Sequence, residues 1–551
     1  MRIGIIGAGF AGLVAAKVLT EFGHETTVFD RTPDVGGVWS RTRRYPGLTT
    51  QNNKGTYAYS DFPMPRDYPE WPTGAQVQAY LESYVHRFGL ESLLRLNTDV
   101  TSAVQDPTSG EWTVTTSSAG DTATRQFDFL VVANGNCSDP LIPDYPGVEE
   151  YRAGGGRLCH TSEFTELSEA AGRNVLVVGY GKSSCDLAVA VSEVAARTTV
   201  VARNLIWKVP RRLGNLLNYK YLLLTRMGEG LFPYRKTSGF ERFLHGRGAG
   251  VTRSMVGSVQ ALISRQLGLK AAGLEPRGPF TDIARSTVSL VTEDFHPRIA
   301  EGRIVVRRDD EIVRLLVQGG RPSAQLGSGE IVPADLVICG TGFHQRVPFL
   351  ADEVQAQLFD QDGNFELYHQ ILPLSVPKLA FVGYNASFFS PLGSEIGALW
   401  VADYLGGTMP LPPVAERRAR VREWLRWTEE RTRGKHSRGT NVIPFSMHQI
   451  DEMLADIRLD VDRKTRFKQW LLPVDPGSYQ VVAAKLHRRH GLLRAARAAV
   501  AASNETLKAM TLPDPPPSGA AGQAAERRLT PRPPKARSGS PGGRTTPGSD
   551  R

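Results

Sequence analysis

Cysteine is scarce in this chain. Its four cysteines, Cys137, Cys159, Cys185 and Cys339, stand far apart among 551 residues, and no two form a C-x-x-C pair. That spacing argues against a disulfide-stapled secreted scaffold and against a zinc site, and leaves reduced thiols as the expectation. Long apolar runs are also missing. No uncharged stretch reaches the roughly 18 residues that a membrane-spanning helix needs, so none is expected. The first apolar strand is expected to begin at Arg2, so no targeting segment is expected ahead of it, and a cytoplasmic location is. A concentrated charge of one sign is absent too. The net charge is +10, but residues 512–551 hold seven Lys or Arg against three Asp or Glu, which leaves the body near +6. That is too diffuse to imply nucleic acid.

What is present is a repeated pattern. Arg2 to Ile6 is a short apolar run, Gly7-Ala8-Gly9-Phe10-Ala11-Gly12 follows, a helical stretch runs to about Phe22, and Thr26 to Phe29 reads as a second strand. The succession recurs at Asn174 to Val178, Gly179-Tyr180-Gly181-Lys182-Ser183-Ser184, and Thr198 to Ala202. Strand, glycine turn, helix and strand, twice over, predict an α/β chain with two dinucleotide-binding, Rossmann-like domains and parallel sheets. The glycines allow a sharp turn, close approach of a diphosphate and tight helix–strand packing, and the helix N-terminus offers unpaired N–H groups to phosphate.

The two units differ in charge where the second strand ends. Asp30 stands there in the first, 23 positions after Gly7, and a carboxylate there accepts hydrogen bonds from ribose hydroxyls. Arg203 stands there in the second, 24 positions after Gly179, where a guanidinium suits a 2′-phosphate. The first site therefore suits a dinucleotide with a free ribose and the second suits NADPH. Lys182 is expected to add positive charge for the phosphates, and Lys208, Arg211 and Arg212 are candidates for the adenosine end.

Further motifs converge. Gly36-Gly37-Val38-Trp39 is followed by Tyr45-Pro46-Gly47-Leu48-Thr49-Thr50 and Tyr59-Ser60-Asp61-Phe62-Pro63. Ala133-Asn134-Gly135 and Gly340-Thr341-Gly342-Phe343 each close a strand. Together these resemble the flavin-containing monooxygenases and, more loosely, the related Baeyer–Villiger monooxygenases, over residues 1 to about 407. The resemblance implies FAD contacts at Gly7, Gly9, Gly12, Asp30, Val38, Trp39 and Asn52, and NADPH contacts at Ser183, Ser184, Asp186 and Arg203. Phe10, Ala11, Arg31, Gly37, Thr50, Ala133, Gly179, Gly181, Lys182 and Gly342 complete the candidate cofactor-binding set. Gln51 aligns with the asparagine those enzymes place beside the flavin, and a shift of one residue nominates Asn52, so both are catalytic candidates. Two departures stand out: Asn134 replaces a threonine, and Cys339-Gly340 replaces Phe-Ala. His160 reads as a structural or linker residue, and no metal site is expected.

The resemblance implies that NADPH reduces FAD, that a C4a-(hydro)peroxyflavin forms with O₂, and that one oxygen atom passes to a small organic substrate, at N or S in the favoured reading. Baeyer–Villiger oxidation of a ketone and an NADPH oxidase releasing H₂O₂ are the alternatives, and a nucleotide sensor is the non-enzyme rival. A disulfide reductase needs a cysteine pair after the Gly-Gly motif, where Trp39 stands. The domain expectation is an FAD domain at 1–155 and 331–408, an NADPH domain at 156–330 with a helical insertion at about 204–290, a helical region at 409–511 and a disordered tail at 512–551. The segment 204–275 holds twelve Lys or Arg and three acids. A lid over the substrate channel is its favoured reading, and membrane-surface association is not favoured. Partners are expected to be a small substrate and O₂, with the oligomeric state open.

Overall fold

The computed structural model describes residues 1–495, except 238, 286–288, 386, 434–438, 441 and 494. The tail expected to be disordered lies outside the described residues.

Two five-stranded parallel sheets organise the chain. In the first, strands run in the order Leu379–Phe381, Phe129–Val132, Arg2–Ile6, Glu25–Phe29, Leu94–Arg95. In the second, the order is Ile304–Arg308, Arg197–Ala202, Asn174–Val178, Leu336–Cys339, Arg157–His160. The central strands are almost wholly buried runs of Ile, Val and Leu, as a parallel sheet covered on both faces requires. Each glycine turn feeds a helix, Phe10–Glu21 in the first fold and Lys182–Val191 in the second.

The duplication extends further than the glycine turns. Each fold carries a three-stranded antiparallel meander, over 99–127 in the first and 312–333 in the second, that leads into the third core strand. This corrects the expected boundary at 331. Residues 331–333 close the second meander, and Leu336–Cys339 pairs with Asn174–Val178 inside the second sheet. The chain therefore returns toward the first fold at Gly340–Gly342. There Gly342 O accepts the Leu141 N–H at 3.0 Å.

The insertion opens and closes at one place, because Lys208–Val209 pairs in parallel with Ser289–Leu290. Between them lie the helices Lys220–Leu223, Arg226–Gly230, Gly239–His245 and Ala249–Gln266, together with a small hairpin, Arg212–Leu213 with Leu217–Asn218. After the second fold, the buried helix Ser390–Leu405 packs on Phe10–Glu21. The helices Val414–Thr432, Ser446–Asp456 and Arg463–Leu471 and the helical residues 480–493 follow.

The insertion is docked by a polar seam. Arg226 forms a two-pronged pair with Asp451 at 2.6 and 2.9 Å, and Arg235 pairs with Glu452 at 2.6 Å. His448 lies between the buried carboxylates of Glu229 and Glu241. Burial alone would lower the His448 pKa, but the charges of the two glutamates and their hydrogen bonds outweigh it and raise the value to about 10.

Candidate cofactor and substrate cavities

A cavity of about 740 Å³ follows the carboxyl ends of the first sheet's strands. Gly7, Gly9, Phe10, Ala11, Asp30, Arg31, Gly37, Val38, Trp39 and Ala133 all line it. The local chain shows why glycine is required at its base. A Cβ on Gly12 would lie 1.7 Å from Gly7 O, and one on Gly7 would lie 2.4 Å from Ala133 O. Gly9 caps the helix without any side-chain hydrogen bond, so the first-turn amides are left for a phosphate. Asp30 has a second duty. It accepts the Ala8 N–H at 2.6 Å and both the N–H and hydroxyl of Thr32, at 2.9 and 2.7 Å, so it pins the glycine turn as well as facing the cavity. These residues fit an FAD: the turn excludes any Cβ, the helix mouth is open, and a carboxylate ends the second strand.

A smaller cavity of about 300 Å³ lies between the two folds and shares Val38, Trp39, Arg43, Tyr57, Cys137 and Ser390 with the first. Gln51, Asn52 and Ser183 line it. Its geometry separates the roles of the two amides. Asn52 is buried and its Nδ2 donates to Phe388 O, so one of its two amide N–H donors is used on the backbone. Gln51 Oε1 accepts the Leu290 N–H at 3.2 Å, which fixes the amide orientation and leaves the Nε2 donors for the cavity. The Gln51 backbone is held as well, its carbonyl accepting the Tyr219 hydroxyl at 2.6 Å. Thr50 is buried and donates to Asn52 O at 2.7 Å, which shapes the loop. Among the described residues lining this cavity there is no carboxylate.

A third cavity of about 430 Å³ begins directly after Arg203, lined by Asn204, Trp207, Arg277 and Arg308 among others. Strand register sets Ala202 beside Arg308, so Arg203 emerges at its edge. Arg203 is mostly exposed and stands 3.8 Å from Glu311.

Several expectations need correction. Lys182 does not offer a free charge to phosphates: it is buried in a pair with Asp186, and burial lowers its pKa against the pull of that carboxylate. Asp186 is 3% exposed and also accepts from Thr292 Oγ1 at 2.5 Å and from the Tyr45 hydroxyl at 3.3 Å, so it joins the folds rather than meeting a ligand. Ser184 is fully buried beneath the second glycine turn and donates to Val178 O and Gly340 O. Lys208 is buried and donates to Tyr180 O at 2.7 Å. Arg211 donates to Thr49 Oγ1 and pairs with Glu293, and Arg212 stands near Glu70, so none of these three lies at the adenosine end. Gly342 holds the crossover and lines none of these three cavities. His160 is buried and caps a turn through Ser162 N, as a structural residue would. Sequence reasoning missed Tyr219, Leu290 and Arg43. The first two act on Gln51 from 168 and 239 positions away, and no local signal marks them.

Two glycine-turn folds facing a shared cavity define a protein built to hold two dinucleotides side by side. Residues 1–238 match the family model described as flavin-binding monooxygenase-like. The chain is 27% identical over 501 residues to flavin-containing monooxygenase 1 of Rattus norvegicus, covering 86% of this chain and 85% of the relative. It is 28% identical over 438 residues to the N-oxide-forming dimethylaniline monooxygenase 2 of Pan troglodytes, covering 75% and 74%. Among solved structures, the open form of cyclohexanone monooxygenase superposes with a TM-score of 0.62 at 19% identity, covering 83% of this chain and 97% of that one. The S-allyl-L-cysteine S-oxygenase of Allium sativum gives 0.57 at 18%, covering 85% and 91%. The structural likenesses show the fold. The sequence matches make residues 1–238 similar to the flavin-binding monooxygenase-like proteins and most of the chain similar to named flavin-containing monooxygenases, which supports a flavin-dependent monooxygenase.

Proposed function

We propose that the chain uses FAD in the 740 Å³ cavity and NADPH on the second fold to oxygenate a small substrate at nitrogen or sulfur. The flavin supplies the O₂ chemistry and the nicotinamide supplies hydride; the protein binds, orients and excludes water. Gly7, Gly9 and the amides of Phe10–Glu21 receive the FAD diphosphate, and Asp30 its ribose. Arg203 at the mouth of the third cavity receives the 2′-phosphate of NADPH, and Ser183 faces the region between the cofactors. The observation that carries the choice of nitrogen or sulfur is the Gln51 amide. Leu290 N–H orients it so that neutral donors face a cavity whose described lining holds no carboxylate. Neutral donors suit oxygen transfer to a nucleophilic heteroatom, whereas ketone insertion calls for a deprotonated oxygen nucleophile that an acidic side chain can help to manage.

The test is a screen of tertiary amines, thioethers and cyclic ketones, following NADPH consumption and the mass of each product. The expected outcome is gain of one oxygen atom by amines or thioethers. Ester or lactone formation from ketones, with amines and thioethers unchanged, would refute the substrate reading.

A further inference from the structure

The loop after Trp39 carries Arg41, Arg43 and Arg44, and the structure uses them differently. Arg41 pairs with Asp34 at 3.2 Å, and Arg44 donates to the Gln78 side-chain oxygen. Ser40 fixes the loop: its hydroxyl donates to Asp34 at 2.5 Å, and its carbonyl accepts the Arg43 N–H at 2.9 Å. Arg43 is thereby turned the other way, into the wall shared by the 740 Å³ and 300 Å³ cavities. Its Nη2 donates to Cys137 O at 2.5 Å.

A second guanidinium stands close by. Arg31 donates to the next carbonyl, Ser138 O, at 2.7 Å, and lines the larger cavity only. Among the described residues, no carboxylate lies within ion-pair distance of either arginine. Asp30 is near enough for its charge to act on Arg43, but its oxygens accept from Ala8 and Thr32. Burial, and then the charge of Arg31, lower the Arg43 pKa. A half-buried cation beside another cation, with no acid to offset it, is an arrangement that an incoming anion relieves.

The second glycine turn lacks a counter-charge of its own. Gly181 caps the helix Lys182–Val191 without a side-chain hydrogen bond, so its first amides are open to a phosphate. The one cation of that turn, Lys182, is spent on Asp186. Lys182, Ser183 and Arg43 line the same 300 Å³ cavity, and Arg43 is the unpaired cation of its described lining. We propose that Arg43, carried by the FAD fold, receives the diphosphate of the NADPH bound on the second fold. This rests on the reading that the second fold holds NADPH. The FAD diphosphate fits Arg43 less well, because that cofactor has an open helix mouth and Arg31 within its own cavity. The contact makes Arg43 a positioning residue, one fold holding the nucleotide of the other against the flavin, and a guanidinium suits it by its fork of donors.

The experiment is calorimetric titration of the FAD-loaded full chain with NADP⁺ and with 2′-AMP, which keeps the 2′-phosphate and lacks the diphosphate. Arg43→Gln should weaken NADP⁺ roughly ten-fold and leave 2′-AMP nearly unchanged. Arg43→Lys, which keeps the charge and loses the fork, should fall between parent and Arg43→Gln. The NADP⁺ affinity of the parent should also fall more steeply with salt than that of Arg43→Gln. Arg203→Ala should weaken both ligands, and its failure to do so would count against the 2′-phosphate assignment alone. Parental NADP⁺ affinity in Arg43→Gln overturns the proposal, and so do equal losses for NADP⁺ and 2′-AMP, which a merely structural role would give. Loss of FAD from Arg43→Gln, with parental NADP⁺ affinity once FAD is restored, would assign the guanidinium to the flavin dinucleotide and overturn it too. A raised KM for carboxylated thioethers, with NADP⁺ affinity unchanged, would assign it to the substrate, with the same consequence.

Discussion

Ser184 and Gly340 are a complementary pair. A Cβ on Gly340 would lie 2.1 Å from Ser184 Oγ, and Ser184 donates to Val178 O and Gly340 O at 3.3 and 3.4 Å. In the first fold the equivalent positions hold Gly12 and Ala133. The bulk has moved from the strand end to the helix, so two departures from the usual motifs become one compensated change. Gly340→Ala should therefore lower the melting temperature, at a cost of about 1–3 kcal/mol from overpacking. The double variant with Ser184→Gly should recover most of that loss, with a coupling of at least about 0.5 kcal/mol. Additive losses in a thermal-melt cycle would show that the two sites are independent.

Cofactor choice should depend on Arg203. A charge-assisted bond to phosphate contributes about 1.5–3 kcal/mol, or roughly 10- to 150-fold in affinity. Arg203 is largely exposed and has Glu311 beside it, so the lower end is expected. Arg203→Ala should weaken NADPH about ten-fold and leave NADH nearly unchanged, while Glu311→Gln should tighten NADPH a few-fold. Direct binding measurements with both nucleotides check this; equal affinity of the parent for both would refute it.

The His448 site should give a pH signature. Its folded pKa, about 10, lies above the ordinary histidine value. The stability it provides is then fully present below about pH 6.5 and lost as pH rises through 10. His448→Leu strands Glu229 and Glu241 as buried acids and should cost about 3–5 kcal/mol at neutral pH. It should also flatten the alkaline part of the melting profile. A parent Tm that stays level from pH 7 to 10 would contradict the assignment.

Much of this was legible in the sequence. The glycine turns and the contrast of Asp30 with Arg203 needed only local patterns, because each is set within a strand–turn–helix unit. Lys182 and Asp186 were misread because their orientation is decided by Thr292, 106 positions from Asp186, and by Tyr45, 141 positions away. The boundary at 331 was misplaced although Gly319-Gly320 and Gly327-Ser328-Gly329 mark the two turns of the second meander, a local signal that could have found it. The insertion holds twelve Lys or Arg against three acids, yet half of those cations meet acids on Ser446–Asp456 and elsewhere, a match that appears only after folding.

The most direct test of the account is the coupling of NADPH oxidation to product in Gln51→Ala, with a thioether as substrate. If the Leu290-oriented amide serves the transfer step, the variant should keep its FAD content and its NADPH affinity yet release several-fold more H₂O₂ per NADPH consumed. Gln51→Asn should fall between the two. A Gln51→Ala enzyme with parental product yield per NADPH would contradict the central role given to that amide.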